Sequence, residues 1–155
     1  MSYGSAEGVA AFVPRFVNAS GRFDNVTTPT LIQVDEWRAQ LSAALDVAMS
    51  GAGLPSPANT AAVVEMLDGF VNGSVAWLVE SVNGQGRYQE RPASTREIMQ
   101  VIMDSVAPWV TSHALSIAAA SGITEQAGVG GGAGSRLPVR MDEWPSAGEY
   151  SRAEI

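Results

Sequence analysis

Residues 30–48, TLIQVDEWRAQLSAALDVA, decide the fold class. Their apolar side chains recur every three or four residues, the period of one face of an α-helix. Thr30 and Gln33 have the spacing of a capping box, in which the hydroxyl accepts from a free backbone N–H and the amide reaches back to the cap. Gly51 and Gly53 predict the end of this helix. The apolar stripe consists of Leu31, Val34, Trp37, Leu41, Leu45 and Ala48.

A short helix is predicted before this one, over residues 5–13. The serine at its start can cap the first turn, and Pro14 discourages its continuation. Residues 18–29 combine Asn, Ser, Gly, Asp and Thr, a composition typical of a loop. We expect Phe16 and Phe23 to attach this loop to the core.

A third helix is predicted to begin at Ser56-Pro57, because a proline in the first turn sacrifices no helical hydrogen bond. It contains Gly69 and Gly73, each costing about 1 kcal/mol in helix propensity. The apolar stripe keeps its phase through both, which favours one continuous helix; a break at Asn72-Gly73 is the alternative. The stripe is Val63, Leu67, Phe70, Val71, Val75, Leu78 and Val82, beside a small-residue face of Ala62, Gly69, Gly73 and Ala76.

A second capping box, Ser94 with Glu97, opens a fourth helix that is predicted to continue to Gly122. Pro108 lies inside it and is expected to kink it. Up to residue 122 no segment alternates like a β-strand, so the sequence predicts an all-α fold, a small four-helix bundle. The stripe of the fourth helix is predicted to be Ile98, Val101, Ile102, Ser105, Trp109 and Ala114 or Ile117.

The composition changes after residue 122, which divides the chain into a helical domain, 1–122, and an extended C-terminal arm, 123–155. Residues 128–134 are mostly glycine, as in flexible linkers. Polar and apolar residues alternate from 136 to 143, a pattern that suits an extended peptide. Fully extended, the arm spans on the order of 100 Å, far enough to reach a partner. Its predicted partner-binding residues are Leu137, Val139, Met141, Trp144 and Tyr150.

The chain has a formal net charge of −7 and contains no lysine and no cysteine. Free nucleic-acid binders need a basic surface to neutralise phosphates, so the charge excludes this class. The absence of cysteine excludes a disulfide framework, a thiolate metal site and a cysteine nucleophile.

The start of the chain lacks the pattern of a signal peptide, and no apolar run approaches the roughly 20 residues of a membrane span. We therefore expect a cytosolic protein with no membrane partner. The sequons at Asn18, Asn25 and Asn72 are then chance matches.

Few residues could support catalysis. His113, the single histidine, has no Asp or Glu three or four positions away, and Asp104 lies nine residues before it, about 13.5 Å along a straight helix. The glycines from Gly128 follow a predicted helix and open none, so they lack the context of a dinucleotide-binding turn. We expect no enzyme activity, no cofactor and no bound metal.

The four tryptophans fall into two groups. Trp37, Trp77 and Trp109 lie in predicted helices and are expected to pack in the core. Trp144 lies in the arm, which has no core of its own, and aromatic residues dominate binding hot spots. We interpret it as an anchor for a pocket on a partner, which can be another copy of this chain; the alternative is packing against its own domain.

A series of short signals follows a defined order over residues 3–117. In sequence they are Tyr3-Gly4, Phe23, Thr28-Pro29-Thr30-Leu31, Val34, Trp37, Leu41-Ser42, Leu45, Gly51-x-Gly53 and Gly86-Arg87-Tyr88. In order and spacing this series resembles the head–tail adaptor (connector) proteins of long-tailed bacteriophages, in the version common among phages of GC-rich hosts.

The resemblance implies a helical bundle that assembles into a ring, typically a dodecamer, beneath the portal protein of the DNA-filled head. Such a ring extends the DNA channel, lets DNA pass without specific binding, and presents a platform to the next connector, a stopper or tail-terminator protein. In that family the C-terminal segment commonly docks on the portal, and the arm 123–155 occupies this position. The expected location is the head–tail interface of the virion, and the host cytoplasm during assembly.

Two alternatives stay open. Another small phage or bacterial interaction module, such as a tail-assembly or scaffold factor, predicts a monomer or dimer with no affinity for a portal. A small enzyme or enzyme inhibitor, with the arm as a lid, requires a pocket in which His113 and Asp104 receive polar partners from other elements.

Overall fold

The computed structural model describes residues 1–83 and 94–123, and every regular element among them is helical. The all-α prediction is confirmed for this part of the chain. The elements are α1 (Ala6–Phe12), a 3-10 turn (Pro14–Phe16), α2 (Leu31–Gly51), α3 (Ala61–Asn83) and α4 (Thr95–Ala120). The chain divides into two compact units, Met1–Ser121 and Gly122–Ile155, and all of these elements belong to the first.

Both predicted capping boxes are present. At the start of α2 the Thr30 hydroxyl accepts from the Gln33 N–H at 3.4 Å, and the Gln33 amide oxygen accepts from the Thr30 N–H at 3.0 Å. At the start of α4 the Ser94 and Glu97 pair makes the same two bonds, at 3.2 and 3.0 Å. Ser5 caps α1 by accepting from the Gly8 N–H at 2.9 Å. These local bonds satisfy N–H groups that a helix start leaves free.

The third helix begins at Ala61, so the predicted start at Ser56-Pro57 is wrong. Thr60 acts as its cap, since its hydroxyl accepts from the Val63 N–H at 3.3 Å. The Ser56 hydroxyl instead donates to the backbone carbonyl of Asp46 on α2 at 2.8 Å. Ser56, which the sequence predicts as the cap of the third helix, therefore uses its hydroxyl for a tertiary hydrogen bond instead.

α3 runs without a break through Gly69 and Gly73, as the phase of its stripe predicted. A Cβ at either glycine would meet nothing within 4 Å. Gly69 is exposed, whereas Ala76, another member of the predicted small-residue face, is buried. The two glycines are therefore not required by close packing within the described part of the chain.

α4 continues through Pro108 as one helix. Of its predicted stripe, Ile102 and Ile117 are buried and Ile98 and Trp109 are partly buried against the core, whereas two positions are wrong. Val101 is 56% exposed and Ser105 is exposed, although both were placed in the stripe. α4 carries apolar residues on several sides, so its period alone does not fix which side is buried. Its contacts with both α2 and α3 decide the phase. The buried residues are Met99, Ile102, Val106, Val110 and Ile117.

The core lies among α2, α3 and α4, each of which contacts the other two, while α1 packs mainly on α3. Every residue of the predicted α2 and α3 stripes is buried or packs partly buried against this core. Phe23 is buried and Phe16 partly buried, as expected for a loop attached to the core. The largest fully buried side chains of the three long helices are Leu41, Leu45, Met49, Leu67, Leu78 and Ile117.

The three helical tryptophans do not share one environment. Trp37 is only 9% exposed and Trp109 is partly buried against the core. Trp77, also expected in the core, is 47% exposed, so that expectation is wrong. Its neighbours Ala76 and Leu78 are buried, and α3 is apolar on nearly every side, so the sequence does not identify which side faces solvent.

By length and composition α3 is apolar enough to cross a membrane, a test that core helices of soluble proteins also pass. The sequence prediction of no span depended on an uninterrupted apolar run, which α3 lacks. In this fold α3 supplies seven buried residues to the core, so core packing accounts for part of its apolar composition.

Candidate partner-binding site

Tyr3 attaches the N-terminus to α2 and to the connection that follows it. The side chain is fully buried. Its hydroxyl donates to the Asp46 carboxylate at 2.5 Å and accepts from the Ala58 N–H at 3.0 Å. The Tyr3 N–H donates to the Ser42 hydroxyl at 2.8 Å. One residue thus joins the N-terminus to α2 and to the connection between α2 and α3.

The next two residues, Gly4 and Ser5, are held by side chains of α2 and α3. The Gly4 N–H donates to the Asp68 carboxylate at 2.6 Å, and the Ser5 N–H donates to the Asn72 amide oxygen at 3.0 Å. The Arg38 guanidinium donates to the Gly4 carbonyl at 2.6 Å. Because each N–H of residues 3–5 pairs with a side chain of α2 or α3, α1 starts from a fixed point. We call residues 1–5 with these partners the N-terminal anchor.

The electrostatics of this anchor keep Tyr3 neutral. Burial, together with the hydrogen bond to Asp46, raises the pKa of Tyr3 to about 12. The Met1 ammonium lies 3.6 Å from the other carboxylate oxygen of Asp46. A phenol that stays protonated up to such a pH serves as a hydrogen-bond donor, so the arrangement fixes the N-terminus in place.

In the sequence, Tyr3-Gly4 stands out only as the first of the short signals that carry the resemblance, and no pattern predicts that Tyr3 is buried. A signal for the anchor is present on α2, where Ser42 and Asp46 lie one turn apart beside the apolar stripe. Gly4 has φ of 72°, and a Cβ there would collide with the Asn72 side chain. Glycine is therefore required at this position.

His113 and Asp104 have separate structural partners. The Nδ1 atom of His113 lies 2.8 Å from the Trp109 carbonyl and 3.0 Å from the Ser112 hydroxyl. The imidazole stacks on the Trp109 ring, with 4.3 Å between centroids, and that ring also contacts Phe70. The Asp104 carboxylate accepts from the Gln100 amide at 2.8 Å. Across residues 1–83 and 94–123, no three His, Asp or Glu side chains come together as a metal site would require.

A groove of about 480 Å³ lies between α2 and the first three turns of α4. We call it the α2–α4 groove. Trp37 and Met99 form apolar parts of its wall, and each is 9% exposed. Polar groups surround them, which is the usual composition of a binding groove. The remaining lining residues are Gln40, Thr95, Arg96, Gln100 and Met103.

The outer surface of the helical unit is acidic and carries several exposed apolar side chains. Its described residues include ten carboxylate side chains and four arginines. Arg15 pairs with Glu80, and Arg38 pairs with Asp35. Exposed apolar side chains are common on interaction surfaces, although single ones also occur on monomers. The large exposed ones are Met1, Phe12, Val26, Ile32, Val47, Trp77, Val101 and Leu115.

The last turn of α4, from which the chain leads to the arm, is tied to the start of α3. The Thr60 hydroxyl donates to the Ala120 carbonyl at 2.8 Å, and the Asn59 amide donates to the Ser121 carbonyl at 3.4 Å. The predicted partner-binding residues themselves lie outside the described residues: Leu137, Val139, Met141, Trp144 and Tyr150.

No protein-family model matches the chain, and neither the curated proteins nor the solved structures contain a match to it.

Proposed function

We propose that this protein is a head–tail connector of a long-tailed bacteriophage, a structural virion protein and not an enzyme. Its four helices form a small bundle that assembles into a ring under the portal, typically a dodecamer in the proteins that it resembles, extends the DNA channel and joins head to tail. The extended arm, 123–155, docks on the portal or on a neighbouring subunit.

The observation that carries this proposal is that signals spread along the sequence meet in one structural unit. The Tyr3 N–H donates to Ser42 at 2.8 Å, so the first signal contacts the Leu41-Ser42 signal directly. Phe23, Trp37 and Leu45 belong to the same buried cluster as Tyr3. Signals far apart in the sequence thus lie together in one folded unit, which supports the resemblance. Gly86-Arg87-Tyr88 lies outside the described residues.

The charge of the helical unit supports a role as a DNA channel. Ten carboxylates against four arginines give its described residues a net negative charge. DNA affinity depends on basic groups that release counterions from phosphates, and an acidic lumen makes no such contacts. DNA would then slide through the ring without being retained.

The exposed apolar side chains support lateral assembly. Phe12, Trp77 and Leu115 are exposed on three different helices, so more than one helix offers apolar contact surface. Two different surfaces in heterologous contact generate a ring when the rotation between neighbours closes.

Electron microscopy of the full-length protein mixed with its portal protein tests the proposal. We expect a ring that caps the narrow end of the portal and shows no affinity for duplex DNA at physiological salt. Monodisperse monomers or dimers that ignore the portal would refute the connector and favour another assembly module. Retained DNA affinity of the ring would contradict the channel.

Deletion of residues 123–155 tests the arm. We expect a domain that stays folded and helical by circular dichroism but no longer attaches to the portal or to its neighbours. Trp144→Ala in the full chain is the milder variant and is expected to weaken attachment without changing the fold. Attachment that persists in the deletion variant would show that the arm does not perform the docking.

A further inference from the structure

The α2–α4 groove combines apolar walls with adaptable side chains. Trp37 and Met99 line the groove with the 9% of each residue that stays exposed, and Met103 is half-buried at the same groove. Methionine side chains adjust to irregular partners, and tryptophan is enriched where partners bind tightly. At about 480 Å³ the groove falls within the roughly 300–1,000 Å³ of ligand sites and can accept large apolar side chains.

The groove also presents a free positive charge. Arg96 lines it, and within residues 1–83 and 94–123 this side chain has no ion pair. Arg15 and Arg38, by contrast, are each paired with a carboxylate. In a strongly acidic unit, a groove with an unpaired arginine favours a ligand that carries both apolar and acidic groups.

The arm of this protein contains a segment with that chemistry. Residues 139–144 read VRMDEW, in which Asp142 and Glu143 stand between Met141 and Trp144. These two apolar residues belong to the predicted partner-binding set, and the acidic pair between them complements Arg96.

The lengths also agree. The groove lies at the beginning of α4 and the arm starts after its end, so Arg96 and Ala120 are separated by about 36 Å of helix. The 22 residues from Ile123 to Trp144 can extend to about 70 Å. An arm that leaves one copy can therefore reach the groove of an adjacent copy.

We propose that the α2–α4 groove of one copy binds arm residues 139–144 of a second copy, with Met141 and Trp144 on its apolar walls and the acidic pair at Arg96. This inference rests on the proposed assembly into a ring and names the surface that the arm occupies there. Because the groove and the arm are different surfaces, the contact is heterologous and can propagate around a ring.

Disulfide trapping in the full-length chain tests the contact, since the natural sequence contains no cysteine. Copies carrying only Gln100→Cys are co-expressed with copies of a different tag length carrying only Ser146→Cys, and a thiol oxidant is added. A product that contains both tags can form only between two copies. The matched control replaces Gln100→Cys by Ser105→Cys, which is exposed on the same helix but turned about 140° away.

We expect the mixed product to form about tenfold faster or more with Gln100→Cys than with the control, because binding raises the effective concentration of the two thiols. Equal rates, or no mixed product, would overturn the inference. If a ring still caps the portal in that case, the connector function stands and only the assignment of the groove fails.

Charge reversal provides the second readout. Arg96→Glu is expected to reduce the rate of mixed product to that of the control, and Asp142→Arg with Glu143→Arg in the arm is expected to restore it. Arg96 forms no ion pair in the described structure, so its replacement leaves no helix partner unpaired. Loss without restoration would contradict the assigned pairing.

Discussion

The Tyr3 hydroxyl lies 2.5 Å from a carboxylate oxygen of Asp46, 43 positions away in the sequence. The same hydroxyl accepts from the Ala58 N–H at 3.0 Å. A single phenol thus joins the N-terminus, α2 and the α2–α3 connection. Substitution of Tyr3 can therefore measure how much these hydrogen bonds stabilise the helical unit.

Tyr3→Phe removes the hydroxyl while keeping the ring. The Ala58 N–H and the Asp46 carboxylate each lose a hydrogen-bond partner at a partly buried site. We expect the free energy of unfolding to fall by about 1–3 kcal/mol, the usual cost of an unsatisfied buried group. Urea unfolding followed by tryptophan fluorescence measures it, and an unchanged midpoint would show that the anchor adds no stability.

The raised pKa of Tyr3 predicts a specific pH dependence. The phenol ionises near pH 10 in the unfolded chain but only near pH 12 in the folded one, so the folded state holds its proton more tightly. This contribution to stability is complete below pH 10 and is lost as the pH rises towards 12. For a pKa change of two units it amounts to about 3 kcal/mol. Unfolding measured across this window should show a flatter slope for Tyr3→Phe than for the natural chain; equal slopes would contradict it.

Two glycine substitutions are expected to act in opposite directions. Gly4→Ala places a side chain at φ of 72° and against Asn72, so we expect a loss of about 1–2 kcal/mol or more. Gly69→Ala adds a methyl group in open space within α3 and is expected to stabilise by about 0.5–1 kcal/mol. Thermal unfolding of both variants compares them. Destabilisation by Gly69→Ala would indicate that this face needs its small residues for a contact.

Adjacent positions on α4 test the phase of its buried face. Ile102 is 3% exposed, so Ile102→Ala should cost roughly 2–5 kcal/mol through lost burial and a residual cavity. Val101 is 56% exposed, and Val101→Ala should change stability by less than about 0.5 kcal/mol. Chemical unfolding distinguishes the two. Similar losses at both sites would support the stripe that the sequence predicted.

Thr60 connects the start of α3 to the end of α4. Thr60→Ala removes both the cap and the bond to the Ala120 carbonyl, and we expect it to cost about 1–2 kcal/mol. Thr60→Ser keeps the hydroxyl and serves as the control. Hydrogen exchange should accelerate in the last turn of α4 with alanine and not with serine. Identical exchange rates in both variants would show that the Thr60 hydroxyl does not stabilise the last turn of α4.

Much of the fold could be predicted from the sequence where the signal was local. The capping boxes at Thr30 and Ser94 involve residues three positions apart, and both are present. The stripes of α2 and α3 could be predicted because their apolar residues keep a helical period along the whole of each helix. The arm residues around Trp144 stay a prediction, since they lie outside the described residues.

The predictions that failed concern choices that local signals do not contain. Ser56 has the chemistry of a cap, but its hydroxyl bonds to α2. Trp77 and Val101 are apolar residues on helices with apolar residues on several sides, so only the neighbouring helices decide which side is covered. For the candidate site, Trp37 was placed on the buried side of α2, whereas the groove beside it exists only because α4 packs alongside.

The sequence by itself determined that residues 1–83 and 94–123 are largely helical, where α2 and α4 begin, and that the helical unit is acidic, because periodicity, caps and charge are properties of neighbouring residues. Only the tertiary structure decided that Tyr3 is buried, that Gly4 must be glycine, and that Arg96 borders an apolar groove. Each of these depends on side chains tens of positions apart, which come together only when the three long helices pack around one core.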